Sequence, residues 1–136
     1  MIHLQRTDSS SIRLLIDKAG LAELLFCFRS ALDGGHQRID VKFDMSVIRM
    51  KRRARTEFKG ILIETGKETM MLLQQGEPVW TIDREDLESA IDQLVRGESL
   101  GYVSPAEFMQ VKIPKNKKLD YVFCELVRSF EERSES

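Results

Sequence analysis

The stretch Arg38-Ile39-Asp40-Val41-Lys42-Phe43-Asp44 alternates charged and apolar side chains without a break. Successive side chains on a strand point to opposite faces, so this segment commits the chain to a sheet with one buried and one wetted face. Ile39, Val41 and Phe43 belong to the core and the charges to water. The segments that follow have the same character. Val47 to Lys51 reads as a further strand, and Phe58 to Thr65 as another, whose apolar run Ile61, Leu62 and Ile63 fits cover on both faces. Gly66-Lys67 makes a tight turn into Thr69 to Gln75, which the spacing pairs antiparallel with the preceding strand. Gly76-Glu77-Pro78 turns the chain again into Val79 to Ile82.

Helical spacing appears in three places. Leu21, Leu24, Leu25, Phe28 and Leu32 line one face of a helix that Asp33-Gly34-Gly35 stops. Asp83 is placed to cap a second helix with Asp86 at its third position, a stripe of Leu87, Ile91, Leu94 and Val95, and an end at Gly97. Leu119, Val122, Phe123, Leu126, Val127 and Phe130 recur as a third, C-terminal helix, after a strand at Phe108 to Ile113 that Pro114 ends. Residues 12–17 fit either a strand or the approach to a helix. The expected fold is therefore α+β, an antiparallel sheet of about four to five strands packed with N-terminal, middle and C-terminal helices. Residues 1–136 read as one domain with no internal repeat, and a short polar tail from about residue 131 is expected to be disordered.

With 21 Lys and Arg against 22 Asp and Glu, the chain is neither a polycation nor an acidic disordered segment. That balance conceals unlike halves: residues 1–68 carry 13 basic and 9 acidic side chains, and residues 69–136 carry 8 and 13. Cys27 and Cys124 stand far apart in apolar segments, which fits two buried thiols in a reducing compartment. The N-terminal residues lack the layout of a signal peptide, and no apolar run approaches the roughly 20 residues that span a bilayer. The expected location is cytoplasmic.

The sequence holds no specific catalytic, cofactor or metal signature. His3 and His36 have no ligand-spaced companion, and Gly34-Gly35 follows a helix where a phosphate-cradling loop would precede one. Ser104 lacks the flanking glycines of a nucleophile elbow. Two charged segments remain. Arg49, Lys51, Arg52, Arg53 and Arg55 place five positive charges within seven residues, and Asp83, Glu85 and Asp86 head a segment, 83–98, with six acidic and two basic side chains. Each has a bland account: charge on a strand edge discourages aggregation, and anions suit a helix N-terminus.

Taken as surfaces, the two segments point to a small non-catalytic intracellular protein that binds a protein partner by charge, of the immunity or inhibitor kind that neutralises a toxin or enzyme in bacteria. No cofactor is expected. The alternative is a nucleic-acid-associated regulator using Arg49 to Arg55, although no aromatic side chain interleaves that run to stack bases. The edge strands of so small a sheet also offer pairing to a second copy.

Overall fold

The computed structural model describes residues 1–43, 46–48, 58–103, 107–114 and 116–128. The alternating segment forms a strand with Ile39, Val41 and Phe43 buried and Arg38, Asp40 and Lys42 exposed, as its period dictates. In chain order the elements are β1 (Ile2–Asp8), β2 (Ser11–Ile16), α1 (Lys18–Leu32), β3 (His36–Phe43), β4 (Phe58–Thr65), β5 (Met70–Gln74), β6 (Glu77–Ile82), α2 (Arg84–Leu100), β7 (Glu107–Val111) and β8 (Asp120–Leu126).

Among the described residues, eight strands form one mixed sheet in the order β5-β6-β4-β3-β1-β2-β8-β7, and its two edges meet at a single parallel bridge, Met70 to Lys112. The sheet is thus a nearly closed barrel. This overturns the expected antiparallel sheet of four to five strands with three helices, in three ways. β6 inserts between β4 and β5, so β4 pairs parallel with β6 and the expected β4–β5 hairpin does not exist. β1 and β2, the first an unexpected strand and the second the ambiguous stretch, form an antiparallel hairpin at the centre. The expected C-terminal helix is strand β8, paired parallel with β2 and antiparallel with β7.

The last of these corrections has a physical origin. The run from Tyr121 to Leu126 fits a period of two as well as one of 3.6, since Val122 and Cys124 fall on one face and Tyr121, Phe123 and Glu125 on the other. Val122 and Cys124 are fully buried while Tyr121 is exposed, so the two-residue period prevails once neighbours exist on both sides. The expected strand at Val47 to Lys51 is not found over Val47 and Ile48, which lie in a turn; the remainder lies outside the described residues, as do Ser104 and the polar tail from residue 131.

A repeat that the sequence conceals organises the whole chain. β1-β2-α1-β3-β4 and β5-β6-α2-β7-β8 follow one plan: an antiparallel hairpin, a helix, a strand parallel to the hairpin's first strand, and an antiparallel return. The registers coincide. His3 faces Leu15 and Lys42 as Met70 faces Thr81 and Lys112. One residue past the paired Ile16 and Ile82, Asp17 and Asp83 each cap a helix. Joined by the parallel pairs β4–β6 and β2–β8, the halves close the ring.

Each strand presents its apolar set to one interior, which α1 fills most deeply: Leu21, Leu24, Leu25, Phe28 and Ala31 are all buried. Phe28 lies edge-on to Trp80 of β6, with centroids 5.5 Å apart, and stacks on Phe108 of β7 at 6.2 Å. A helix of the first half therefore holds the core of the second. α2 runs past the expected end at Gly97, which packs against Val103, to Leu100; Gly101 ends it in the left-handed conformation that a glycine adopts without steric cost.

Candidate functional site

The topology sorts the connections between two rims. The β1–β2, β3–β4, β5–β6 and β7–β8 connections lie at one end of the strands, the turn rim. The ends of β2, β6 and β8, the β4–β5 turn and both helix starts lie at the other, the helix rim. Helix α2 belongs wholly to the second: Asp83 caps its start beside β6, and Glu98 and Gly101 near its end line a hollow with Lys18, Leu21, Leu126 and Val127.

At the helix rim the expected acidic residues are brought together, and two of the three have local partners. Asp83 accepts a hydrogen bond from the Asp86 amide at 2.8 Å, which satisfies one of the open N–H groups of the first turn. Thr69 binds both: its hydroxyl accepts from the Asp83 amide at 3.0 Å and donates to Asp86 Oδ2 at 2.5 Å. Glu85 is exposed. Further along, Glu88 pairs with Arg84 and Asp92 with Arg96, each at 3.1 Å, while among the described residues Glu85 and Glu98 form no ion pair.

Between the start of β5 and β7, under α2, lies a polar groove of about 480 Å³. Its wall carries Thr69, Asp86 and Gln93 with Glu68, Glu107 and Lys112 nearer the rim. Gln93 Nε2 donates to the Phe108 carbonyl at 3.4 Å, and Lys112 Nζ stands 3.9 Å from Glu68. None of Thr69, Gln93, Glu107 or Lys112 stood out in the sequence, because the groove arises only where the two edge strands meet and their separation along the chain hides it.

At the turn rim, Arg6 is the organising side chain. Its guanidinium binds the Asp120 carboxylate through two bonds of 3.0 and 3.2 Å, and donates to the Ser46 and Val47 carbonyls at 2.7 Å each. Asn116 donates to the same carboxylate at 3.3 Å. Asp120 is fully buried and Arg6 nearly so. One ion pair thus ties the chain just before the basic run to the β7–β8 connection, where Lys117 and Lys118 are exposed. Arg49, Lys51, Arg52, Arg53 and Arg55 themselves lie outside the described residues; the described chain stops at Ile48 and resumes at Phe58, both at this rim.

Among the described residues no three His, Cys, Asp or Glu side chains are placed to hold a metal ion, and no helix is long and apolar enough to cross a membrane. Cys27 and Cys124 are buried and unbridged. Burial, with Glu125 adding to it, pushes the Cys124 thiol up to about 12, so it is neutral and a poor nucleophile. Trp80 is buried in the core. Comparison with protein-family models, curated proteins and solved structures gives no match, which leaves the geometry and charge of the surface as the basis for function.

Proposed function

We propose that this is a non-catalytic binding protein, cytoplasmic in location, that engages a protein partner through a surface polarised along the barrel axis. An inhibitor or immunity role, in which the partner is an enzyme or toxin held out of action, is the specific form of this reading. The observation that carries it is the separation of charge: acidic α2 at the helix rim, with Lys117, Lys118 and the flanks of the basic run at the turn rim. Strands of six or seven residues span roughly 20 Å at about 3.3 Å per residue, while charges are screened over about 8 Å at physiological ionic strength. Poles so far apart do not neutralise each other, and such a separation of charge orients an approaching charged partner and accelerates encounter more than it tightens the complex.

The test is binding at low and moderate salt to generic duplex DNA and single-stranded RNA, set beside affinity purification from the native host. The expected result is no nucleic-acid binding and a protein partner whose capture weakens in the Glu85→Lys, Glu98→Lys double variant. Salt-sensitive binding to DNA or RNA that is lost in the Arg52→Glu, Arg53→Glu form would overturn the reading in favour of a nucleic-acid-associated regulator.

A further inference from the structure

The two halves of the chain are each other's control. With His3 matched to Met70 and Asp17 to Asp83, Ile2 corresponds to Thr69, Gly20 to Asp86 and Cys27 to Gln93. In the first half all three positions are buried and without a charged or amide side chain, and the Asp17 amide donates straight to the Met1 carbonyl at 3.2 Å. That carbonyl lies 2.3 Å from where a Cβ on Gly20 would stand, so strand and helix close with no room between them. In the second half the Thr69 hydroxyl is interposed between the Asp83 amide and Asp86, and the junction of the matched strands shrinks from two register pairs to one. The fold does not require the polar groove, since the same architecture closes without it a half-barrel away.

The groove also exposes a strand edge. Lys112 donates to the Thr69 carbonyl at 3.0 Å and accepts from the Met71 amide at 3.1 Å, so its peptide groups face β5 and away from β8. Alternation along a strand turns those of Gln110 to the same side, beyond the last contact with β5. Around this edge the groove carries Glu68, Asp83, Asp86 and Glu107 against Lys67 and Lys112. Its volume is within the roughly 300–1,000 Å³ usual for ligand sites.

We infer that this groove receives an extended, basic segment of the partner protein, which pairs with the edge of β7 at Gln110, unpaired on that side among the described residues, and sets a Lys or Arg side chain against the Glu68, Asp86 and Glu107 carboxylates. The inference rests on the partner-binding reading and gives it a point of contact. Backbone pairing supplies affinity in such strand addition, and the charged pocket supplies selection. An acidic segment meets a net negative wall and is refused.

The test is a ¹H–¹⁵N titration of the whole chain with the acetylated and amidated peptide Lys-Val-Lys-Val-Lys, beside Glu-Val-Glu-Val-Glu. The basic peptide is expected to shift the amides of Thr69, Met71, Gln110 and Lys112 and the acidic one to leave them unmoved. Glu68→Lys with Glu107→Lys, both at exposed positions, should weaken binding about tenfold. Gln110→Pro, which removes an amide not used by β8, should abolish it with the remaining spectrum retained. Shifts confined to the outer face of α2, equal binding of both peptides, or no binding overturns the groove assignment. Each leaves the partner-binding reading to stand or fall by the capture experiment above.

Discussion

Arg6 carries more of the architecture than any other polar side chain among the described residues. Its two bonds to Asp120 and two to the Ser46 and Val47 carbonyls join β1, the start of β8 and the turn before the basic run. Taking both ions out of water costs several kcal/mol, and only the full set of bonds offsets that cost; the pair is a weak source of net stability but a strong constraint on register. Removing one partner is a different matter. Arg6→Ala leaves the fully buried Asp120 carboxylate without its guanidinium, and urea unfolding should show a loss of about 3–5 kcal/mol. The double change Arg6→Met, Asp120→Leu, which buries no charge, should recover most of it. Neither residue was readable as a site in the sequence: 114 positions separate them, and nothing local distinguishes a buried Arg from an exposed one.

At the scale of elements, the sharpest expectation to change concerns β8. As a docked helix, its Phe123 would be a core residue and Phe123→Asp would unfold the chain. As a strand between β2 and β7 it buries Val122 and Cys124 and leaves Phe123 half-exposed on the outer face. Val122→Asp should therefore abolish the folded state, since an unpaired charge in the core costs several kcal/mol, while Phe123→Asp should remain folded with a modestly lower melting temperature by circular dichroism. The contrast explains what was legible. β3 was recognisable from its strict period of two and both helices from their 3.6-residue stripes; for α2 the Asp83 cap agrees with Leu87 and Leu94, although the helix runs past the expected stop at Gly97 to end at Gly101. β8 was not, because a short apolar run satisfies two periods and its neighbours alone choose. The parallel pairings of β4 with β6 and β2 with β8 were invisible for the same reason, as short turns favour the adjacent hairpin until a third strand competes for its edge. Of the candidate site, the acidic start of α2 was legible from composition; the groove beside it was not, being a product of ring closure.

For the whole molecule, the question is whether two copies of one plan behave as two units. Each half has its own hairpin, helix and returning pair, and a chain of two such units in series would melt in two steps. The interior argues otherwise. Phe28 of α1 rests on Trp80 and Phe108, both from the second half, and β2–β8 and β4–β6 are pairings between halves, each with a continuous register. Neither half can bury its apolar face without the other, so the barrel is one cooperative unit. Trp80, the chain's single tryptophan, belongs to β6 of the second half and reports locally on the core around it, where Phe28 packs, whereas far-ultraviolet circular dichroism reports on the whole barrel. Urea transitions followed by the two signals should coincide. Phe28→Ala, a change in the first half, should move both together by about 3–5 kcal/mol, the usual cost of emptying a buried phenylalanine site. A tryptophan transition that precedes the dichroism, or that ignores Phe28→Ala, would mean that the halves fold independently and that the shared core contributes little. Coincidence would tie the groove at the β5–β7 junction to the stability of the entire ring: a partner segment bound there would then protect β1 and β2, on the far side of the barrel, against unfolding as effectively as it protects β7.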